Sequence, residues 1–198
     1  MGKELRAAFG LFVLLVLLTG VVYPAAVLGI GHALFPFQAG GSLVSVNGAM
    51  IGSTLIGQAF DGPAYFHSRP SDAGAGYDAV NSSGSNLAPT AAKLLEDVNA
   101  RVTALKAASN TPIPVDLVTS SASGLDPDIS LAAAYFEAPR VAAARHLLPA
   151  ALLKLINTQA KGRTFGLLGE NRVNVLQLNL ALDALTSPAS QKAGPHGR

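Results

Sequence analysis

An α+β fold is predicted: a single N-terminal transmembrane helix followed by one mixed α/β domain. Three observations predict it. No formal charge stands between Arg6 and Asp61, and the densest apolar part of that gap is residues 7–30, AAFGLFVLLVLLTGVVYPAAVLGI. Beyond it, helical periodicity appears after Pro89 and again from Leu131, while short β-type alternation appears in residues 42–47 and 173–179. The chain has 198 residues, 49% of them hydrophobic, and a mean hydropathy of +0.37. That is too apolar for an ordinary soluble domain, yet long enough for one sizeable core.

The apolar run comes first. Residues 7–30 form a helix about 36 Å long at ~1.5 Å per residue, enough to cross a hydrocarbon core of about 30 Å. Gly20 and Pro24 are tolerated there because a neighbouring helix or a local adjustment satisfies the freed backbone groups. A cleaved secretory signal is the rival reading, but the apolar run continues past Pro24 to Ile30 and no clean Ala-x-Ala site closes it. Lys3 and Arg6 precede the run and Arg69 is the first basic residue after it, so the positive-inside rule places the N-terminus in the cytoplasm. Removing Lys3, Arg6 and Glu4 from the 14 basic and 12 acidic residues leaves 12 and 11 beyond the helix, a balance that argues against a nucleic-acid partner. There is no cysteine, so packing or docking must replace disulfides.

The elements of the outer domain follow in order. Residues 42–47 read as a short strand, with Leu43 and Val44 breaking strict alternation, Val46-Asn47-Gly48 as a turn, and residues 51–55 as a second strand. Residues 61–87 form an organised loop punctuated by glycine and proline. A surface helix with one buried stripe begins after Pro89 and ends near Ser109, with Lys93, Asp97 and Arg101 four residues apart on another face. Residues 113–119 read as an edge strand around Pro114. Residues 120–130 are a polar turn whose Ser130 caps the next helix, which Pro139 interrupts or restarts. Arg140, Ala144 and Leu148 then share a helical face. Pro149 opens another helix carrying Leu152, Leu153, Leu155 and Ile156. Residues 173–179 read as a strand, and 187–198 as a flexible tail.

The motifs that carry chemistry are few. Neither a Gly-x-x-x-x-Gly-Lys-Ser/Thr loop nor a Gly-x-Gly-x-x-Gly turn is present. His32, His67, His146 and His196 lack metal-ligand spacing, and His67 reads as a loop side chain. Asp126 and Asp128 flank Pro127 before a helix start, where capping and turn formation explain both. Neither Ser85 nor Ser123 sits in a nucleophile elbow. An alternative from another class is a membrane-tethered enzyme using Asp126, Asp128 or Ser85. The loops suit docking better, and Arg69 and Arg140 stand out because a guanidinium offers a rigid five-donor fork for carbonyls or a carboxylate. An ordinary salt bridge inside the domain is the plainer reading of each.

Several segments together resemble one family. They are Thr19-Gly20 and Tyr23-Pro24; Gly52-Ser53 with Leu55-Ile56-Gly57-Gln58; Tyr65-Phe66 with Arg69-Pro70-Ser71; and Gly84-Ser85-Asn86-Leu87. Further on come Asp116-Leu117-Val118-Thr119 with Ser121-Ala122-Ser123-Gly124-Leu125-Asp126-Pro127, then Arg140-Val141-Ala142-Ala143-Ala144-Arg145, and finally Val173-Asn174-Val175-Leu176 with Leu178-Asn179. In order and spacing across residues 19–183 the sequence resembles the C subunit, KdpC, of the Kdp potassium-transporting P-type ATPases. Three positions depart from the family's habit: Glu137 stands where Gln is frequent, Asn171 where Pro is, and Asp128 where His is common.

The resemblance implies an accessory, non-catalytic subunit of a high-affinity ATP-driven potassium importer in the cell inner membrane. Its expected organisation is a cytoplasmic N-terminus (1–6), a transmembrane helix (7–30), a mixed α/β periplasmic domain (31–186) and the tail (187–198). Implied partners are a channel-like potassium-translocating subunit, a P-type ATPase subunit and a small single-helix subunit, with membrane lipid around the anchor. ATP, Mg2+ and K+ act at those partners, and this chain holds no cofactor, metal or catalytic residue. The family is also described as a catalytic chaperone that raises the ATP affinity of the ATPase subunit, which implies nucleotide binding. The partner-binding candidates are Tyr65, Phe66, Arg69, Pro70, Ser85, Asn86, Asp126 and Arg140.

Overall fold

The apolar run 7–30 folds within one continuous helical rod, Gly2–Leu34, the one helix among the described residues long and apolar enough to cross a membrane. The structure is a computed structural model that describes residues 2–106 and 111–186. The helix end expected near Ser109 and the tail at 187–198 lie outside the described residues. Helices α1 (Gly2–Leu17) and α2 (Tyr23–Leu34) are joined by a π-helical turn at Leu18–Val22. That turn is the local adjustment Pro24 requires. A proline lacks the N–H that would bond the preceding turn, and the extra residue is absorbed by Tyr23 N–H donating to Leu18 O instead. Thr19 Oγ1 donates to Leu15 O at 2.7 Å, satisfying a hydroxyl on an otherwise apolar rod.

The chain divides into two compact units, Met1–Ser53 and Thr54–Arg198. In the first, the short helix α3 (Pro36–Ala39) leads to a hairpin of β1 (Leu43–Val46) and β2 (Ala49–Ser53). Asn47 and Gly48 have φ of 51° and 81°, the paired left-handed conformation of a type I′ turn, whose twist matches that of the strands it joins. The register shifts between Val44 and Ser45, so the broken alternation at Leu43-Val44 marks a β-bulge.

In the second unit no helix or strand forms among residues 54–91. Helix α4 (Ala92–Lys106) follows, with the Lys93–Asp97 ion pair at 2.9 Å on its outer side. Its apolar stripe is only half-buried, because Leu105 alone among its residues packs against the core. Residues 115–117 are a 3-10 turn and not the expected edge strand. Pro114 leaves the chain extended, and Val115 to Leu117 close through Leu117 N–H to Pro114 O and Val118 N–H to Val115 O. Asp116 fixes that turn by accepting from the Ser130 backbone N–H (2.8 Å) and from Ser130 Oγ (3.2 Å).

A three-stranded antiparallel sheet is ordered β3-β5-β4, with β3 (Asp128–Ser130), β4 (Ala160–Lys161) and β5 (Arg172–Asn174). Residues 128–130, expected in a turn, therefore belong to the sheet. Ser130 does cap α5 (Leu131–Arg145), its Oγ accepting from Ala133 N–H at 3.0 Å. Pro139 neither breaks nor restarts α5; it lies on the exposed side one turn beyond exposed Tyr135, where the ring meets no packed neighbour that a kink would disturb. The helix ends at Arg145, with His146 left-handed at φ 54°, so Leu148 shares no helical face with Arg140. Pro149 opens α6 (Pro149–Gln159), whose Leu152 and Ile156 are fully buried while Leu153 is exposed. Residues 175–179 are helical, not strand. Asn174 Oδ1 accepts from Gln177 N–H at 3.1 Å and starts α7 (Val175–Thr186).

The core gathers Ile129 and Val173 from the sheet, Leu117 from the 3-10 turn, Ala133, Ala134, Ala138, Val141 and Ala142 from α5, Leu152 and Ile156 from α6, and Val175, Leu178 and Leu182 from α7. One loop residue joins them. Phe66 has no exposed surface, and it pins the long loop to the helices.

Candidate functional site

The loop at residues 62–69 has no strand partner, so its backbone groups must be satisfied otherwise. Side chains from α5 and α7 do this in sequence. Arg140 donates to the carbonyls of Pro63 (2.8 Å), Tyr65 (3.0 Å) and, more weakly, Gly62 (3.4 Å). Arg145 Nε donates to Ala64 O at 2.8 Å. Asn179 brackets Phe66, its Oδ1 accepting from Phe66 N–H and its Nδ2 donating to Phe66 O, both at 2.9 Å. Glu137 Oε2 accepts from His67 N–H at 2.8 Å. A carboxylate, an amide and two guanidinium groups thus replace a neighbouring strand. Glu137 and Asn179 are among the most buried polar residues of the domain, at 3% and 1% exposure, and each is fully partnered.

Glu137 also holds Arg140 Nη2 at 2.7 Å and lies 3.3 Å from His67 Nδ1. The other ring nitrogen, Nε2, is 3.0 Å from Gly62 O. Both of those partners accept, so the doubly protonated imidazolium satisfies both. The hydrogen bond to Glu137 raises the His67 pKa above its ordinary value, burial opposes the rise, the Glu137 charge supports it and the Arg140 charge counters it. A raised folded-state value means the protonated ring stabilises the fold fully below the ordinary imidazole pKa, and that contribution is lost as pH rises through the raised value. The thermal midpoint of the full chain, followed from about pH 5 to about pH 9, should therefore fall across that window more steeply than in His67→Gln. Equal slopes would show that the ring does not titrate against the fold.

A second cluster closes the loop's far half. Arg69 Nη1 meets Asp126 Oδ2 at 3.1 Å, while Nη2 reaches Thr119 O and Ser120 O at 3.4 and 3.3 Å. Ser71 Oγ donates to Gly124 O (2.6 Å), Ser82 Oγ to Ser123 O (2.9 Å), and Gly57 N–H to Leu125 O (2.7 Å). Three glycines allow this closeness. A Cβ on Gly57 would stand 2.6 Å from Asp126 O, one on Gly84 2.8 Å from Ala122 O, and one on Gly124 2.5 Å from Ser83 O. The segments around Gly57, Gly84 and Gly124 therefore form one clasp of backbone against backbone.

The eight partner-binding candidates are placed unequally. Arg69 and Asp126 pair with each other, and Arg140 reaches Tyr65 O beside Phe66. Tyr65 is half-buried, with the Arg145 guanidinium 4.5 Å over its ring. Phe66 is a core side chain, Pro70 is half-buried, and Ser85 and Asn86 are exposed at the loop surface. Both guanidinium groups serve the plainer role, holding the domain's own carbonyls and carboxylates. Beside them Pro63, Leu105, Phe136, Pro139, Glu137 and Arg140 line a groove of about 640 Å³. Glu137, Arg145 and Asn179 were not among the candidates. The spacing of Glu137 and Arg140, three apart on one helix, was the available signal for that pair. Nothing local in the sequence indicates that Asn179 meets Phe66.

The arrangement positions backbone. Asp126 is tied to Arg69 and to its own Asp128 N–H (3.0 Å). Asp128 pairs with Arg172 at 2.9 Å and accepts from Asn174 Nδ2 at 3.1 Å, so neither carboxylate caps a helix, while the turn that the sequence suggested is the one Asp126 closes on Asp128 N–H. Among the described residues no three His, Cys, Asp or Glu are grouped to hold a metal ion.

Comparison with known proteins agrees with the motif pattern. A family model described as K+-transporting ATPase, c chain, matches residues 5–184. The chain is 55% identical over 183 residues to the potassium-transporting ATPase KdpC subunit of Acidobacterium capsulatum, covering 92% of this chain and 99% of that relative. It is 53% identical to the subunit of the same name from Methylobacterium nodulans, covering 92% and 98%, and 54% identical to that from Rhodospirillum rubrum, covering 91% and 95%.

Proposed function

The chain belongs to the KdpC family, the c chains of the K+-transporting ATPases, and from that membership we propose that it is the accessory, non-catalytic subunit of an ATP-driven potassium importer. Residues 1–6 lie in the cytoplasm, 7–30 remain in the inner membrane uncleaved, and 31–186 lie in the periplasm ahead of the tail at 187–198. The domain docks on the channel-like subunit and braces it against the ATPase subunit and the small single-helix subunit. ATP, Mg2+ and K+ act at those partners.

One observation carries this reading. Arg69, Glu137 and Arg140 are engaged in ordering the loop around residues 62–71, and the close packing of Gly84 on the Ala122 backbone holds the neighbouring segment with Ser85 and Asn86 exposed on its surface. A rigid loop docks with less entropy to lose than a mobile one. Orientation supports the same topology through the basic residues before the helix.

The cysteine-free sequence makes the topology test clean. A single cysteine at Ser85 should react with a membrane-impermeant maleimide in intact spheroplasts, and one at Lys3 only after lysis. The reverse pattern, or a purified chain whose mass begins downstream of Pro24, would refute the anchored topology.

A further inference from the structure

The arm joining β4 to β5 takes no part in the clasp or in the loop's backbone ladder. Its turn is closed in both directions, Thr164 N–H to Leu168 O at 2.8 Å and Leu168 N–H to Thr164 O at 3.0 Å, with Gly166 N–H to Arg163 O at 3.0 Å. On this ordered tip Phe165 is 90% exposed, Leu167 80% and Leu168 64%. Phe165 is held at φ 55°, a left-handed conformation that favours glycine and not an aromatic residue. A Cβ built on Gly162, Gly166 or Gly169 would meet nothing within 4 Å, so the arm stands clear of its surroundings. Lys161 and Arg163 at its base are exposed and make no ion pair among the described residues, whereas Arg172 is tied to Asp128.

We infer that this arm is a membrane-surface anchor, in which Phe165, Leu167 and Leu168 enter the interfacial layer of a bilayer and Lys161 and Arg163 pair with anionic headgroups. The inference rests on the anchored chain proposed above. Large apolar side chains on a narrow turn form a wedge, with no flat face for another protein to complement, and lipid adapts to such a shape. Cations at the wedge's base meet the headgroup phosphates when the tip is submerged, and the stems of Lys161 and Arg163 lie along the apolar boundary. One acid, Glu170, stands in the arm against the two cations, leaving residues 161–171 net positive. The same chain carries the apolar rod Gly2–Leu34, so in the anchored chain proposed above the domain is tethered to a bilayer. The arm gives the domain a second foothold on the membrane that holds its tether.

The sequence contains no tryptophan, so each Trp variant carries a single reporter. The full chain, reconstituted in phosphatidylglycerol-containing nanodiscs, would carry Phe165→Trp, Val16→Trp in the rod, or Val80→Trp, whose native side chain is also 90% exposed but lies in another loop. Phe165→Trp should emit to the blue of Val80→Trp and lose intensity when brominated acyl chains replace ordinary ones. Adding Lys161→Ser and Arg163→Ser should reverse much of that loss. Quenching of Val16→Trp without quenching of Phe165→Trp would overturn the inference while leaving the anchor intact. Burial of Phe165→Trp only after the partner subunits are added would overturn it in favour of a protein pocket. An unquenched Val16→Trp would reject the anchor and the arm's role together.

Discussion

A chain lacking residues 7–30 is expected to leave the membrane fraction and to lose stoichiometric association with the potassium-ATPase subunits. The span contains no formal charge, and apolar side chains at a helix centre each favour insertion by about 0.3–0.6 kcal/mol, so a run of this length contributes on the order of several kcal/mol. The rod has no buried residue to hold it to its own chain. Its apolar surface is what lipid or a neighbouring helix would cover in the anchored chain proposed above. The domain should keep its fold after the deletion, because its core draws only on residues from Phe60 onward. Co-purification of the truncated chain at full stoichiometry would place all the assembly energy in the domain and refute the anchor's part in it.

Gly124→Ala should be the most damaging single methyl group that the domain can receive. Its φ of 66° already strains any other residue, and the added carbon would lie 2.5 Å from Ser83 O and 2.7 Å from Ala73 N, both backbone atoms that cannot swing away. Backbone strain of about 1–3 kcal/mol and overpacking of about 1–3 kcal/mol combine to remove a large fraction of a typical stability of about 5–15 kcal/mol. Gly76→Ala, also at positive φ but with nothing within 4 Å, should cost only the backbone part. Urea unfolding of the two full-length variants in detergent would measure the difference. Equal midpoints would mean that the clasp yields and is not the rigid element described above.

The sequence made local features legible and left non-local ones hidden. The charge gap marked the rod, Asn47-Gly48 marked the hairpin, Ser130 marked its cap and Pro149 marked a helix start, because each signal lies within a few residues of its effect. The strand expected at 113–119 failed because Asp116 bonds Ser130, fourteen residues away, and draws the segment into a 3-10 turn. The helix at 175–179 was missed because an Asn-Val-Leu-Gln-Leu stretch alternates like a strand until Asn174 is recognised as its cap. Pro139 looked like a break because its exposed position in the fold cannot be read from its neighbours in sequence.

The candidate site divides in the same way. Arg69 and Arg140 were identified from the chemistry of the guanidinium group, but their partners at Asp126 and Pro63 lie 57 and 77 residues away. Phe66 was drawn into the candidate set by its aromatic neighbours, yet it fills the core and acts through the loop it anchors. The glycines in three family-like segments make sense only once those segments are seen stacked on one another.

Residue-mapped photocrosslinking in the assembled membrane complex tests the central claim most directly. A photoreactive residue at Ser85 or Asn86, both exposed on the ordered loop, should attach to the channel-like subunit, while one at Thr158 on α6 should not. Strong adducts from Thr158 with none from Ser85 or Asn86, in a complex of full stoichiometry, would show that the domain docks through another face and that the loop order serves folding alone.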